Sequence, residues 1–425
     1  MSVPFTPVNW IHASNIYEVN LRQYTPEGTF EAFAREMPRL KDMGVDILWL
    51  MPITPISVQK RLGTLGSYYA CSDYTAVNPE FGTLEDFRRM VGAAHELGMK
   101  VIIDWVANHT GWDHHWTREH PEYYRRNHEG SFFDAHGWED VIDLNYDNKD
   151  LRTAMIDAMT FWVRDYGIDG FRCDMAMLVP LDFWRDARTE LDKIRKLFWL
   201  AECEEITYHE VFDATYTWKF LHKMEAVWRK EAGLDGLDEV FQYYSDMFPP
   251  GAIHVYFTSN HDENSHSGSE FERMGAAAKA FAVLCCTWNG LPMIYSGQEL
   301  PNYKRLKFFD KDLIDWNGRC ELHDFFKTLL GLHKTNPAMR AGDTGSVTRR
   351  IGTKSDDRCY AFVRSAGESE VLVVLNFSAE ELTVHPDELG LQGRFRNVFT
   401  GDEPDLSGAG MVSLGAWGYG VYEKQ

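Results

Sequence analysis

Eight short apolar runs, most of them followed by a stretch of helical periodicity, repeat through the first three quarters of this 425-residue chain. They read "NIYEVNL" (15–21), "VDILWLMP" (45–52), "KVIIDWVANH" (100–109), "IDGFRCD" (168–174), "LFWLAE" (197–202), "ATYTW" (214–218), "HVYFTSNHD" (254–262) and "LPMIYSGQE" (291–299). Helical spacing covers 29–43, 83–98, 148–166, 181–195 and 270–287. A strand with one wet face alternates apolar and polar residues, whereas these runs are continuous, as in parallel strands buried on both faces. Strands alternating with helices build a parallel sheet. Eight such units in roughly 320 residues fit a closed (β/α)8 barrel, an α/β fold, better than an open sheet.

Two regions fall outside that pattern. Residues 110–148 form a His- and Trp-rich insertion after the third strand, too long for an ordinary βα loop. From about residue 345 the helical signal stops and short strands such as "CYAFVRS" and "EVLVVLNFS" follow one another between turn residues, which reads as a small antiparallel β domain. The expected division is a catalytic barrel over 1–109 and 149–340, an insertion domain over 110–148, and a β-sandwich-like domain over 345–425.

Bulk properties exclude several partners. A net charge of −21 argues against nucleic acid and anionic membrane surfaces as partners, since both need a basic face. The most apolar long stretch, 276–295, is broken by Lys279, Asn289, Gly290 and Pro292, so it is no membrane span. The N-terminus has no basic segment leading into an apolar run, so no secretory signal is read there. Seven cysteines without CxxC spacing suit free thiols in a reducing compartment, and the cytoplasm is the expected location.

Barrel enzymes carry their sites at the C-terminal ends of the strands, and here the strand ends are charged. The third run ends in Asp104, Asn108 and His109, the fourth in Arg172 and Asp174, the fifth in Glu202, and the seventh in Asn260, His261 and Asp262. A buried strand seldom carries unpaired ions, because desolvating them costs more than packing returns. Carboxyl groups converging on one rim have a chemical use. Glycosidic cleavage needs two carboxyls flanking the bond, one to protonate the leaving oxygen and one to attack the anomeric carbon or activate water. An arginine beside the nucleophile holds it ionised, and crowding by other carboxylates raises the pKa of the acid. A third carboxylate stabilises the sugar cation.

"DWVANH" (104–109), "GFRCD" (170–174), "AE" (201–202) and "SNHD" (259–262), with "YYACSDYTAVNPEFGT" (68–83), "DVIDLN" (140–145) and "GLPMIYSGQE" (290–299), resemble in order and spacing the signature regions of the α-amylase family of glycoside hydrolases. The resemblance runs from about Asn15 to Trp316. It implies a retaining enzyme acting on starch-derived α-glucans or maltooligosaccharides. In it Asp174 is the nucleophile, Glu202 the general acid/base and Asp262 the transition-state stabiliser. Arg172 pairs with Asp174, Asp104 braces the arginine, His109 and His261 bind sugar hydroxyls, and Tyr69 forms the floor beneath the sugar. Arg305, in a looser match, is a further sugar-binding arginine. No cofactor is implied for the chemistry. Asn108 and Asp143 match positions that bind a structural calcium ion in many relatives; the alternative is that they only hydrogen-bond to each other and brace the insertion.

One departure matters. Typical α-amylases carry a Lys-His pair three and four residues after the nucleophile, where this chain has Met177 and Leu178. That argues for short maltooligosaccharides, or for a glucosyl- or maltosyltransferase of the same architecture, over endo-cleavage of long starch. A non-catalytic sugar-binding relative would be expected to lack one of the acids, and all three are present. The histidines of the insertion follow no zinc spacing.

Overall fold

The computed structural model describes residues 5–318, 320–342, 344–407 and 410–425. Ten strands belong to the first 300 residues: β1 (Ile16–Val19), β2 (Ile47–Leu50), β3 (Lys100–Trp105), β4 (His109–Gly111), β5 (Val141–Asp143), β6 (Gly170–Cys173), β7 (Phe198–Ala201), β8 (Ala214–Tyr216), β9 (Ile253–Tyr256) and β10 (Leu291–Tyr295). Eight of them close into a parallel barrel in the order β1-β10-β9-β8-β7-β6-β3-β2, with β2 paired back to β1. Every residue of β1, β2, β6, β7 and β10 is buried, which is why none of them alternates.

The connecting helices start and stop where local chemistry directs. Leu84–Glu96 opens on a reciprocal capping box between Thr83 and Asp86. Lys149–Tyr166 opens on Asn148, whose side chain accepts from two orphan backbone donors, and closes at Gly167 in the left-handed conformation. The expected helix over 270–287 is broken at Gly275, where a Cβ would stand 1.9 Å from the Trp228 ring. Helices Trp218–Trp228, Asp235–Met247 and His323–Thr335 have no counterpart in the sequence reading.

Strands β4 and β5 pair antiparallel, with His109 opposite Asp143, so the insertion leaves and rejoins the barrel beside the end of β3. The C-terminal region holds β11 (Val347–Ile351), β12 (Cys359–Ala366), β13 (Ser369–Asn376), β14 (Leu382–Val384), β15 (Phe395–Asn397), β16 (Val412–Leu414) and β17 (Tyr419–Lys424). Five form an antiparallel sheet, β11-β12-β13-β17-β15, and β14 pairs with β16. Side chains of the large sheet divide by strand period. Val371, Val373 and Leu375 join the barrel's core, while Leu372 and Val374 join a separate core with β14 and β16.

Candidate active site

The site is assembled around one guanidinium. Strand β6 places Arg172 fully buried at the barrel's C-terminal end. Its Nη1 donates to Asp104 Oδ1 on β3 (2.8 Å) and to Asp174 Oδ1 (2.9 Å), and Nε donates to the Tyr216 hydroxyl at the end of β8 (3.3 Å). Nη2 lies 2.8 Å from Glu202 Oε2, just past β7; the contact is an ion pair without hydrogen-bond alignment. Glu202 Oε2 accepts instead from the Met175 backbone N–H (2.9 Å), which turns back toward it because Met175 sits at φ 38°, ψ 48°. That left-handed backbone is strained for a side chain of this size. Gly170 makes the close approach possible: a Cβ there would lie 2.0 Å from the Phe198 carbonyl oxygen of β7.

Electrostatics separate the carboxyls. Burial, with Asp174 and Asp262 nearby, pushes Glu202 up to about 7 against the pull of Arg172. Burial also raises Asp174 to about 6, where the guanidinium had been expected to hold it low. Desolvation wins, and Arg172 limits the rise rather than reversing it. Asp262 stands at the rim with its side chain 41% exposed.

A second chain of contacts carries a positive charge to the same place. Tyr69 gives its hydroxyl proton to Asp104 Oδ2 (3.0 Å), so at the 2.7 Å contact between Tyr69 Oη and His261 Nε2 the ring is the donor. His261 Nδ1 meets Glu18 Oε1 at 2.5 Å. A ring donating from both nitrogens is an imidazolium. Burial opposes that charge, but Asp262 and Glu18 outweigh it and raise His261 to about 9. Glu18, on β1, is fully buried and absent from the sequence reading, as are Tyr216 and Met175. Glu18 and Tyr216 are polar side chains at the ends of β1 and β8, the same signal that marks β3, β6, β7 and β9.

Asp174, Glu202, Asp262, Tyr69 and Met175 line a cavity of about 560 Å³, together with Leu62, Trp138, Phe308 and Phe309. Tyr69 lies nearly parallel to His261, ring centroids 5.3 Å apart. His109 lines the cavity beside Trp138 (5.4 Å); burial lowers it to about 4, so it is neutral, with Nδ1 facing the Asn108 amide at 3.2 Å. Arg305 is not brought to the cavity. It is half-exposed and donates to Glu272 Oε2 (3.0 Å), which in turn accepts from the Ser269 N–H that starts helix Glu270–Met274. Met177 is exposed on a single 3-10 turn. Asn108 and Asp143 meet across β4 and β5, but as a brace: Asn108 Nδ2 donates to Asp143 Oδ1 (3.5 Å) and the Ala135 N–H to Oδ2 (3.1 Å). Among the described residues no third acidic, His or Cys side chain joins them, so these side chains supply only part of the six to eight oxygens calcium takes.

Fold and site together define a class: (β/α)8 barrels with three carboxyls and an arginine at the C-terminal rim. The sequence narrows it. Residues 13–139 and 122–321 match the model of the alpha amylase catalytic domain, and 352–417 that of the alpha amylase C-terminal all-beta domain. The chain belongs to the α-amylase family. It is 29% identical to an alpha-amylase, MalA, from Haloarcula japonica over 90% of this chain, and spans 58% of that protein's length. It is 27% identical to a cyclomaltodextrin glucanotransferase from Geobacillus stearothermophilus over 91% of this chain, and spans 61% of that length. An alpha-amylase from Lactobacillus plantarum superposes with a TM-score of 0.88 at 28% identity, covering 97% of this chain and 99% of the other. A noncanonic maltogenic alpha-amylase from Thermotoga neapolitana gives 0.85 at 29%, covering 97% and 96%.

Proposed function

We propose that this chain is a retaining glycoside hydrolase that cleaves α-glucosidic bonds of maltooligosaccharides or starch-derived α-glucans. The observation that carries the reading is the single buried guanidinium of Arg172, ion-paired with both Asp174 and Glu202. Two carboxyls bridged by one guanidinium suit the short separation of about 5 Å found in retaining enzymes. Asp174 Oδ attacks the anomeric carbon while Glu202, its pKa raised, gives its proton to the departing glycosidic oxygen. The resulting glycosyl ester on Asp174 is then opened by water, whose proton returns to Glu202. Asp262 faces the positive charge that develops on the sugar. The neutral His109 faces the sugar hydroxyls, His261, whose two N–H groups are taken by Tyr69 and Glu18, holds Tyr69 in place, and Tyr69 packs against the ring. We take the catalytic barrel as 1–109 with 149–340, the insertion as 110–148 and the C-terminal domain as 345–425. The seven free cysteines, six of them buried, support the cytoplasm as its location. No described helix is long and apolar enough to cross a membrane.

The test is a proton NMR time course on maltoheptaose with Asp174→Asn as the blank. Early α-anomeric products are expected. β-Anomers, or equal turnover by the variant, overturn the assignment. A transfer reading has one observation in its favour: Met175 lines the cavity with Glu202, and the exposed Met177 stands where the family's Lys-His pair begins. Products longer than seven sugars in the same time course would select it.

A further inference from the structure

The side of the cavity lined by Leu62, Phe308 and Phe309 is a clasp between distant loops. Residues 60–66, after β2, meet residues 305–311, after β10. The Leu65 N–H donates to Phe309 O (3.0 Å), and Thr64 donates to Asp310 Oδ1 from both its N–H (2.9 Å) and its hydroxyl (2.6 Å). Gly63 lets the two backbones touch, since a Cβ there would lie 2.5 Å from that of Phe309. Both loops are tied down from β1's own C-terminal extension. Arg22 Nη1 donates to Gly66 O (3.1 Å), and Gln23 Nε2 donates to Lys307 O (2.9 Å) and Asp310 O (2.8 Å). Arg22 and Gln23 are buried, so these are fixed anchors.

The clasp's place in the barrel fixes which end of a substrate meets it. Strands β2 and β10 are the two neighbours of β1, so the clasp stands over β1. In the closed order β1-β10-β9-β8-β7-β6-β3-β2, the strand diametrically opposite β1 is β7, which carries Glu202. The proton donor must face the leaving group, so the chain being released departs on the β7 side. The clasp closes the other side, where the sugar bearing the anomeric carbon lies on Tyr69. The ring of Phe308, next to the clasp residue Phe309, stacks beside Tyr69 (centroids 6.2 Å, 18° between planes) and continues that floor into the wall.

We infer that this wall makes the site a pocket for the non-reducing end of an α-glucan, so that the enzyme acts exo, removing short units from chain ends. The inference rests on the hydrolase reading above and adds a direction and a specificity to it. A cleft open at both ends accepts an internal bond, whereas a clasp spanning the glycone side leaves no path for a chain continuing past the terminal sugars.

The test compares maltoheptaose carrying a fluorescent amine at its reducing end with the same compound whose non-reducing 4- and 6-hydroxyls are capped by an ethylidene group. Chromatography of labelled products reads both rate and cut position. The expected result is stepwise shortening of the uncapped chain and at least 100-fold slower cleavage of the capped one. Capped substrate cut at a smaller penalty, with internal fragments, overturns the closed end while leaving the hydrolase reading intact. Turnover of neither overturns both. Asp310→Ala removes the bonds to Thr64 at a half-buried position and is expected to raise the capped-to-uncapped rate ratio at least tenfold. An unchanged ratio overturns the role of the clasp.

Discussion

At the scale of the residue, the site works by setting neighbouring carboxyls to different tasks. Asp174 must be ionised to attack and is raised to about 6; Glu202 must be protonated to assist departure and is raised to about 7. Activity therefore rises as pH climbs through the first value and falls as it passes the second, giving a narrow bell in kcat/KM centred between them. Asp104, beside Asp174, is raised to about 6 as well, so the acid limb belongs to that pair rather than to Asp174 alone. A flat profile from pH 5 to 8 would contradict this. Glu202→Gln removes the proton but not the shape, so it should cost about 10²–10⁴-fold on maltooligosaccharides. The loss should be much smaller on an aryl glycoside whose leaving group needs no proton, and parallel rate measurements on the two substrates check this. Glu18 acts one contact further out. Glu18→Gln deletes the anion opposite His261 Nδ1, so the ring's pKa falls from about 9 toward its ordinary value. Below the new pKa the imidazolium and its bond to Tyr69 survive; above it they do not. The variant should lose about tenfold in kcat/KM at pH 8, the scale of one charge-assisted hydrogen bond, and less at pH 6. An equal loss at both values would mean that Glu18 only packs.

At the scale of the element, strand β6 shows how tightly backbone and chemistry are joined. Gly170 lies against β7 with no room for a methyl group, and two and four residues later come Arg172 and Asp174. Gly170→Ala should force β6 and β7 apart, destabilising the fold by roughly 1–3 kcal/mol and lowering kcat as Arg172 moves relative to Glu202. Urea unfolding alongside steady-state kinetics checks both, and a variant with native stability would show that the strands have slack. Elements of this kind were readable beforehand in part. The barrel strands announced themselves because continuous burial writes a continuous apolar run, and the charges ending four of them stood out against it. Helix Trp218–Trp228 did not, because its buried face includes Glu225, which is held by Arg273 from 48 residues away and blurs the periodicity. Arg305 was misplaced for a related reason: its partner Glu272 is 33 residues distant, and no local pattern reports such a bond. The clasp is the extreme case. Thr64, Asp310 and Gln23 are ordinary polar residues until the barrel closes and brings their three segments together.

At the scale of the whole molecule, the question is whether the C-terminal sheet is an appendage or part of the barrel's stability. The described contacts favour the second. One face of the sheet belongs to the barrel's own core: Phe362 packs edge-on against Trp288 with centroids 4.8 Å apart, and Phe377 packs on Phe281 at 4.6 Å. Polar bonds cross the same boundary. The buried Arg364 donates to the Arg340 carbonyl at 2.8 Å, and the Tyr360 hydroxyl donates to Asp238 at 2.6 Å. An isolated barrel would expose this apolar face and leave helices Ala278–Thr287 and His323–Thr335 half uncovered, so neither part should persist once the other has unfolded. Calorimetry of the full chain should then give one transition, with activity lost in the same step. Phe362→Ala empties a fully buried site at the shared boundary and should cost about 3–5 kcal/mol. The decisive feature is that the whole transition moves to lower temperature together. Two resolved transitions, with the substitution shifting only the smaller, would mean that the sheet merely rests on a barrel stable without it.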